Sequence, residues 1–123
     1  MIEEAYVNFE IAKLLREKGF DVSCYGRYSV RSKEFHLDTT RPCNNGGISQ
    51  YSAPTQQMAM SWLRKEHNIV VDIVPLWNYN QWEYQVFVIT PKTAAEPYID
   101  DMIYVSYEKA AEVGIFYTLK NLI

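Results

Sequence analysis

Apolar positions near the start of the chain recur at intervals of three and four. Tyr6, Phe9, Ala12, Leu14 and Leu15 fall on one side and Glu and Lys on the others, which predicts an amphipathic helix over residues 3–18. Gly19 ends it, and Phe20 stands where the apolar partner of a Schellman cap belongs. Residues 21–28 then read as a strand carrying Val22, Cys24 and Tyr25, and residues 33–37 as a second short strand able to pair with it. Residues 39–53 have no period and cluster Pro42, Asn44, Asn45, Gly46 and Gly47, the signature of a loop.

The stretch YSAPTQQMAMSWLRKEHNI restores helical spacing. Pro54 and Thr55 supply a start signal, Ala59, Trp62 and Leu63 one apolar face, and Asn68 with Ile69 a left-handed stop, so a helix is expected over residues 56–67. Residues 69–76 are β-branched and end at Pro75. Residues 81–90 alternate, with Trp82, Tyr84, Val86 and Val88 on the inward face, which makes Trp82 and Tyr84 expected core. A linker follows to residue 104. Ser106 then caps a last helix over residues 107–122, within which Gly114 costs about 1 kcal/mol against alanine and so marks a close neighbour. The expected fold is α+β: one compact domain over residues 1–123, three helices on a mainly antiparallel sheet of two hairpin-like units, in the order α-β-β-α-β-β-α.

Composition narrows the class. A chain of 123 residues with 48% hydrophobic and 22% charged side chains is that of an ordered globular domain. Ten tyrosines are an excess that fits a small core with wet edges or a contact surface. The net charge of −3 hides a segregation, because residues 26–65 hold six basic against two acidic side chains, a local +4. Two cysteines make no disulfide framework, and Met1 is followed at once by Ile2, Glu3 and Glu4, which is not a signal-peptide start. A cytoplasmic protein with reduced thiols is expected, and no apolar run approaches the roughly 20 residues that span a bilayer, so no membrane association is expected.

Catalytic chemistry finds little support. His36, His67, Cys24 and Cys43 stand at no ligand spacing, no orienting acid accompanies Cys43 and His36, and Gly46-Gly47 lacks the lysine of a phosphate loop. Asp100, Asp101 and Glu96 read as solvated linker acids near a helix start. The expectation is therefore no enzyme, no metal and no cofactor. Two sets of binding candidates remain. Tyr25, Arg27, Tyr28 and Arg31, within the basic aromatic segment 25–41, have the composition of a stacking platform for nucleic acid. Trp77 and Tyr79 lie in the connection between two strands, where they either fold back over the sheet end or meet a partner.

Three segments, EIAKLLREKGFD, YSAPTQQMAMSWLRKEHNI and SYEKAAEVGIFYTLKNLI, together resemble a group of small uncharacterised proteins common in phages and mobile elements of gut Bacteroidales. The resemblance covers nearly the whole chain and carries no catalytic or binding residues with it. It implies an accessory protein of a mobile element working inside a bacterial cell. The expected function is a non-enzymatic accessory or protein-interaction module, with a protein partner or a second copy of itself as ligand. The alternative is weak nucleic-acid binding through residues 25–41.

Overall fold

The computed structural model describes residues 3–77, 80–91 and 96–123. The chain is α+β, with three helices and two antiparallel sheets in the order α-β-β-β-α-β-β-α. It divides into two compact units, Met1–Ala59 and Met60–Ile123.

In the first unit, helix α1 is Phe9–Glu17, shorter than its apolar period suggests. Asn8 is the reason: its side-chain oxygen accepts from the Ile11 amide at 2.9 Å and fixes the start there. The residues before it are extended. Tyr6 bridges Thr55, the Val7 amide donates to the Pro54 carbonyl at 3.0 Å, and the Gln56 amide donates to the Ala5 carbonyl at 2.8 Å. The other end is the Schellman cap expected from Gly19 and Phe20. Gly19 has φ +91°, its amide donates to Arg16, and the Phe20 amide reaches back to Leu15 at 2.9 Å while the Phe20 ring is buried.

Strands β1 (Gly26–Ser29), β2 (Phe35–Leu37) and β3 (Gln50–Ala53) form the first sheet, in the order β2-β1-β3. The strand expected over 21–28 is thus shorter, and β3 lies inside the segment expected to be loop. Its four residues carry no period long enough to read. The strand exists because β1 supplies its partners, Gly26 to Ala53 through Ser29 to Gln50. Gly26 permits the approach: a Cβ there would collide with the Ala53 carbonyl oxygen and stand 2.9 Å from the Phe35 ring. The rest of the loop is tethered by Asn45, whose side chain donates to the Phe20 carbonyl at 2.8 Å and accepts from the Ser52 amide at 2.7 Å.

The second helix, α2 (Gln56–His67), has the ends its sequence specifies. The Thr55 hydroxyl accepts from the Met58 amide at 3.1 Å, and Asn68 takes φ +56°. In the second unit, β4 (Ile69–Pro75) and β5 (Trp82–Val88) pair antiparallel from Ile69–Val88 to Pro75–Trp82. Helix α3 (Tyr107–Asn121) packs on both, and its cap is the Ser106 hydroxyl accepting from Lys109 at 3.0 Å. Ile69, Val71, Tyr84, Val86, Ala111, Ile115 and Leu119 are among the unit's buried apolar side chains. The strands form two sheets, β2-β1-β3 and β4-β5, rather than one sheet of two hairpin-like units. Trp82, expected as core beside Tyr84, is half-buried: it lies at the end of the ladder, with its ring edge-on to Tyr107 at 5.6 Å.

Candidate functional site: a tyrosine pocket under a bowed strap

The alternation along β5 sends successive main-chain groups to opposite edges. Leu76 donates to Gln81 and Ile89 to Asn68, so odd-numbered residues of β5 bond to β4 and even-numbered ones face outward. Two outward residues are taken by the strap that leads to α3. Val86 exchanges both main-chain bonds with Tyr98, at 2.8 and 3.0 Å, and Trp82 does so with Tyr104, at 2.8 and 2.9 Å. From Val86 to Trp82 is four steps and from Tyr98 to Tyr104 is six. The strap therefore bows away from the sheet edge beside Tyr84, and Asp101 at the bow takes φ +60°.

Under the bow lies a cavity of about 260 Å³ lined by Tyr84, Pro97, Tyr98, Ile99, Asp100 and Tyr117. Tyr84 forms its inner wall and is 2% exposed, whereas Tyr98 is 44% exposed at the rim. The rings stand at a slant to one another: Tyr84 to Tyr117 at 6.3 Å and 41°, Tyr98 to Tyr117 at 6.1 Å and 45°, and Tyr84 to Tyr104 at 6.0 Å and 38°. Asp100 is held by its neighbours. Its carboxylate accepts from the Tyr104 hydroxyl and, at 3.0 Å, from the Met102 amide, and its charge acts on the neighbouring Tyr84 phenol. Burial, reinforced by the Asp100 charge, raises the Tyr84 phenol well above the usual tyrosine value, and burial with the Asp100 hydrogen bond pushes Tyr104 up to about 12. At neutral pH Tyr84 and Tyr104 therefore stand as protonated phenols beside the Asp100 carboxyl group.

The candidates named from sequence are dispersed. Trp77 is wholly exposed, at 103%, in the turn after β4, and does not fold back over the sheet end. Tyr79 lies outside the described residues. Tyr28 is part of an aromatic cluster: its ring meets Phe9 edge-on at 5.8 Å and Phe35 at 5.3 Å, and its hydroxyl donates to the Val7 carbonyl at 2.8 Å. Arg27 is engaged in the sheet, donating to Gln50 Oε1 at 3.0 Å and to the Arg41 carbonyl, with Asp38 at 3.4 Å. The Thr40 hydroxyl, then the Thr40 and Arg41 amides and the Arg27 charge, hold the Asp38 carboxyl below its ordinary range. Tyr25 and Arg31 remain exposed. Arg27, Tyr28 and Lys33, the last over Phe9 at 5.4 Å, thus meet other residues of the chain, while Tyr25 and Arg31 stay open.

The two cysteines, distant in sequence, face each other across an isolated bridge, Cys24 donating to Cys43 at 3.0 Å and Cys43 to Cys24 at 2.7 Å. Both are free thiols, and burial pushes Cys24 up to about 11. Among the described residues no group of three His, Cys, Asp or Glu is placed to hold a metal ion, and no helix is long and apolar enough to cross a membrane. Comparison with known proteins finds no matching family model, no matching curated protein and no matching solved structure.

Proposed function

We propose that the chain is a non-enzymatic binding module that works through protein contacts, in the accessory role and cytoplasmic setting that the resemblance to mobile-element proteins implies. One observation carries this reading. Trp77 leaves its whole side chain in water, although a tryptophan is the side chain whose burial at an interface returns most free energy. The strap gives the same unit a second apolar exposure, with Ile99, Met102, Ile103 and Val105 each presented to solvent. Nucleic-acid binding through residues 25–41 has less support, because Arg27 and Tyr28 are already engaged by Asp38, Gln50, Phe9 and Phe35.

The test compares the wild type with Trp77→Ala in affinity capture from host-cell lysate, after urea unfolding has established that the two are equally stable. The reading requires a discrete protein that the wild type retains at least tenfold more strongly than the variant. Equal retention of every captured protein rejects it.

A further inference from the structure

The cavity under the strap lies outside the Trp77 reading and has its own chemistry. Three inclined tyrosine rings give it walls whose π faces carry partial negative charge, and the charged group in its lining is the Asp100 carboxylate. Among the described residues no basic side chain forms an ion pair with Asp100, whereas Arg27–Asp38 and Lys109–Glu112 are paired. Field and quadrupole both favour a cation.

The kind of cation follows from what Asp100 has left to give. A carboxylate offers about four lone-pair sites. The Tyr104 hydroxyl and the Met102 amide take two of them, one on each oxygen, so its charge remains while part of its capacity to accept new hydrogen bonds is used. A bare ammonium, a guanidinium or a hydrated metal ion loses hydrogen bonds to water and recovers only part of them here. An alkylated ammonium has none to lose, and its charge spreads over methyl groups that pack against ring faces. The volume of about 260 Å³ lies below the range of pockets that hold drug-sized ligands and suits one such head group.

We propose that Tyr84, Tyr98 and Tyr117 with Asp100 form a binding site for a methylated ammonium group. The group reaches it either on a free small molecule of the choline type or on a methylated lysine side chain, and the experiment separates the two sources.

The full chain is titrated by calorimetry with choline, with its uncharged isostere 3,3-dimethyl-1-butanol, and with a short peptide bearing trimethyllysine or plain lysine. The variants are Tyr98→Ala, whose side chain is at the rim and whose main-chain bonds to Val86 survive, and Asp100→Asn, with far-ultraviolet circular dichroism confirming that each is folded. The site predicts saturable binding of a trimethylammonium compound, at least tenfold weaker binding of the isostere, and at least a tenfold loss in each variant. Choline binding alone assigns a small-molecule ligand, and preference for the trimethyllysine over the plain peptide assigns a modified protein. Absence of saturable binding to both trimethylammonium compounds overturns the proposal. So does equal affinity for the isostere, or unchanged affinity in both folded variants.

Discussion

Replacing Gly114 by alanine sets two effects of known size against each other in α3. Alanine is favoured over glycine in a helix interior by about 1 kcal/mol, so an open position would be stabilised by that amount. Gly114 is not open. A Cβ there would stand 2.9 Å from Val71 Cγ1, 3.1 Å from Tyr84 Cγ and 3.2 Å from Tyr84 Cδ2. Neither neighbour yields easily: Val71 is β-branched, 5% exposed and paired in β4, while Tyr84 is 2% exposed and paired in β5. Overpacking of this kind costs about 1 to 3 kcal/mol. Gly114→Ala should therefore be net destabilising by about 1 kcal/mol, and Gly114→Leu by more. With a urea m-value of about 2 kcal/mol/M, the alanine midpoint should fall by about 0.5 M. Trp62, Trp77 and Trp82 all lie in Met60–Ile123, so tryptophan fluorescence reads that unit selectively. A midpoint raised by the full propensity gain would refute the close contact between α3 and the β4–β5 sheet.

Gly26→Ala should destabilise the first unit by about 2 to 3 kcal/mol, since the obstacle is the Ala53 carbonyl oxygen and the β1–β3 ladder must open; faster amide exchange in β3 would register it, and unchanged exchange would contradict it. Burial pushes the Cys24 thiol up to about 11 and leaves the side chain 3% exposed, so at pH 8 iodoacetamide should label Cys43 first; peptide mapping that finds Cys24 modified first would be contrary. Tyr84 and Tyr104 keep their protons in the folded state above the pH at which an unfolded chain releases them. The stability they contribute is whole below pH 10 and is lost as pH rises, for Tyr104 through about 12 and for Tyr84 higher still, so absorbance at 295 nm should show two tyrosines ionising later than the rest, as the fold is lost.

Most helix ends were legible in the sequence because they are settled within a few residues, as at the Gly19–Phe20 cap, Thr55 with Asn68, and Ser106, whereas the start of α1 at Asn8 was not, since the apolar period runs on into the extended residues before it. Alternation located β5 and placed Tyr84 and Val86 inside, but it has no means of recognising where a ladder ends, and Trp82 sits there half-buried. Strand β3 was not legible, since its pairing depends on Gly26 far upstream rather than on its own four residues. Nor was the tyrosine pocket. Its walls come from β5, the strap and α3, and Asp100 reads as a solvated linker acid until the two bridges at Tyr98 and Tyr104 bow the strap over Tyr84. The excess of tyrosine was the available signal, and it indicated wet-edged packing without a place.

The reading of the chain as a protein-binding module is tested most directly by photocrosslinking in the native host cell, with a benzophenone amino acid placed at position 77 or at the exposed position 25. The account predicts a discrete, protease-sensitive adduct from position 77 and no nuclease-sensitive adduct from either position. Nuclease-sensitive adducts from position 25 with none from position 77 would contradict it and favour the basic aromatic segment as the working surface.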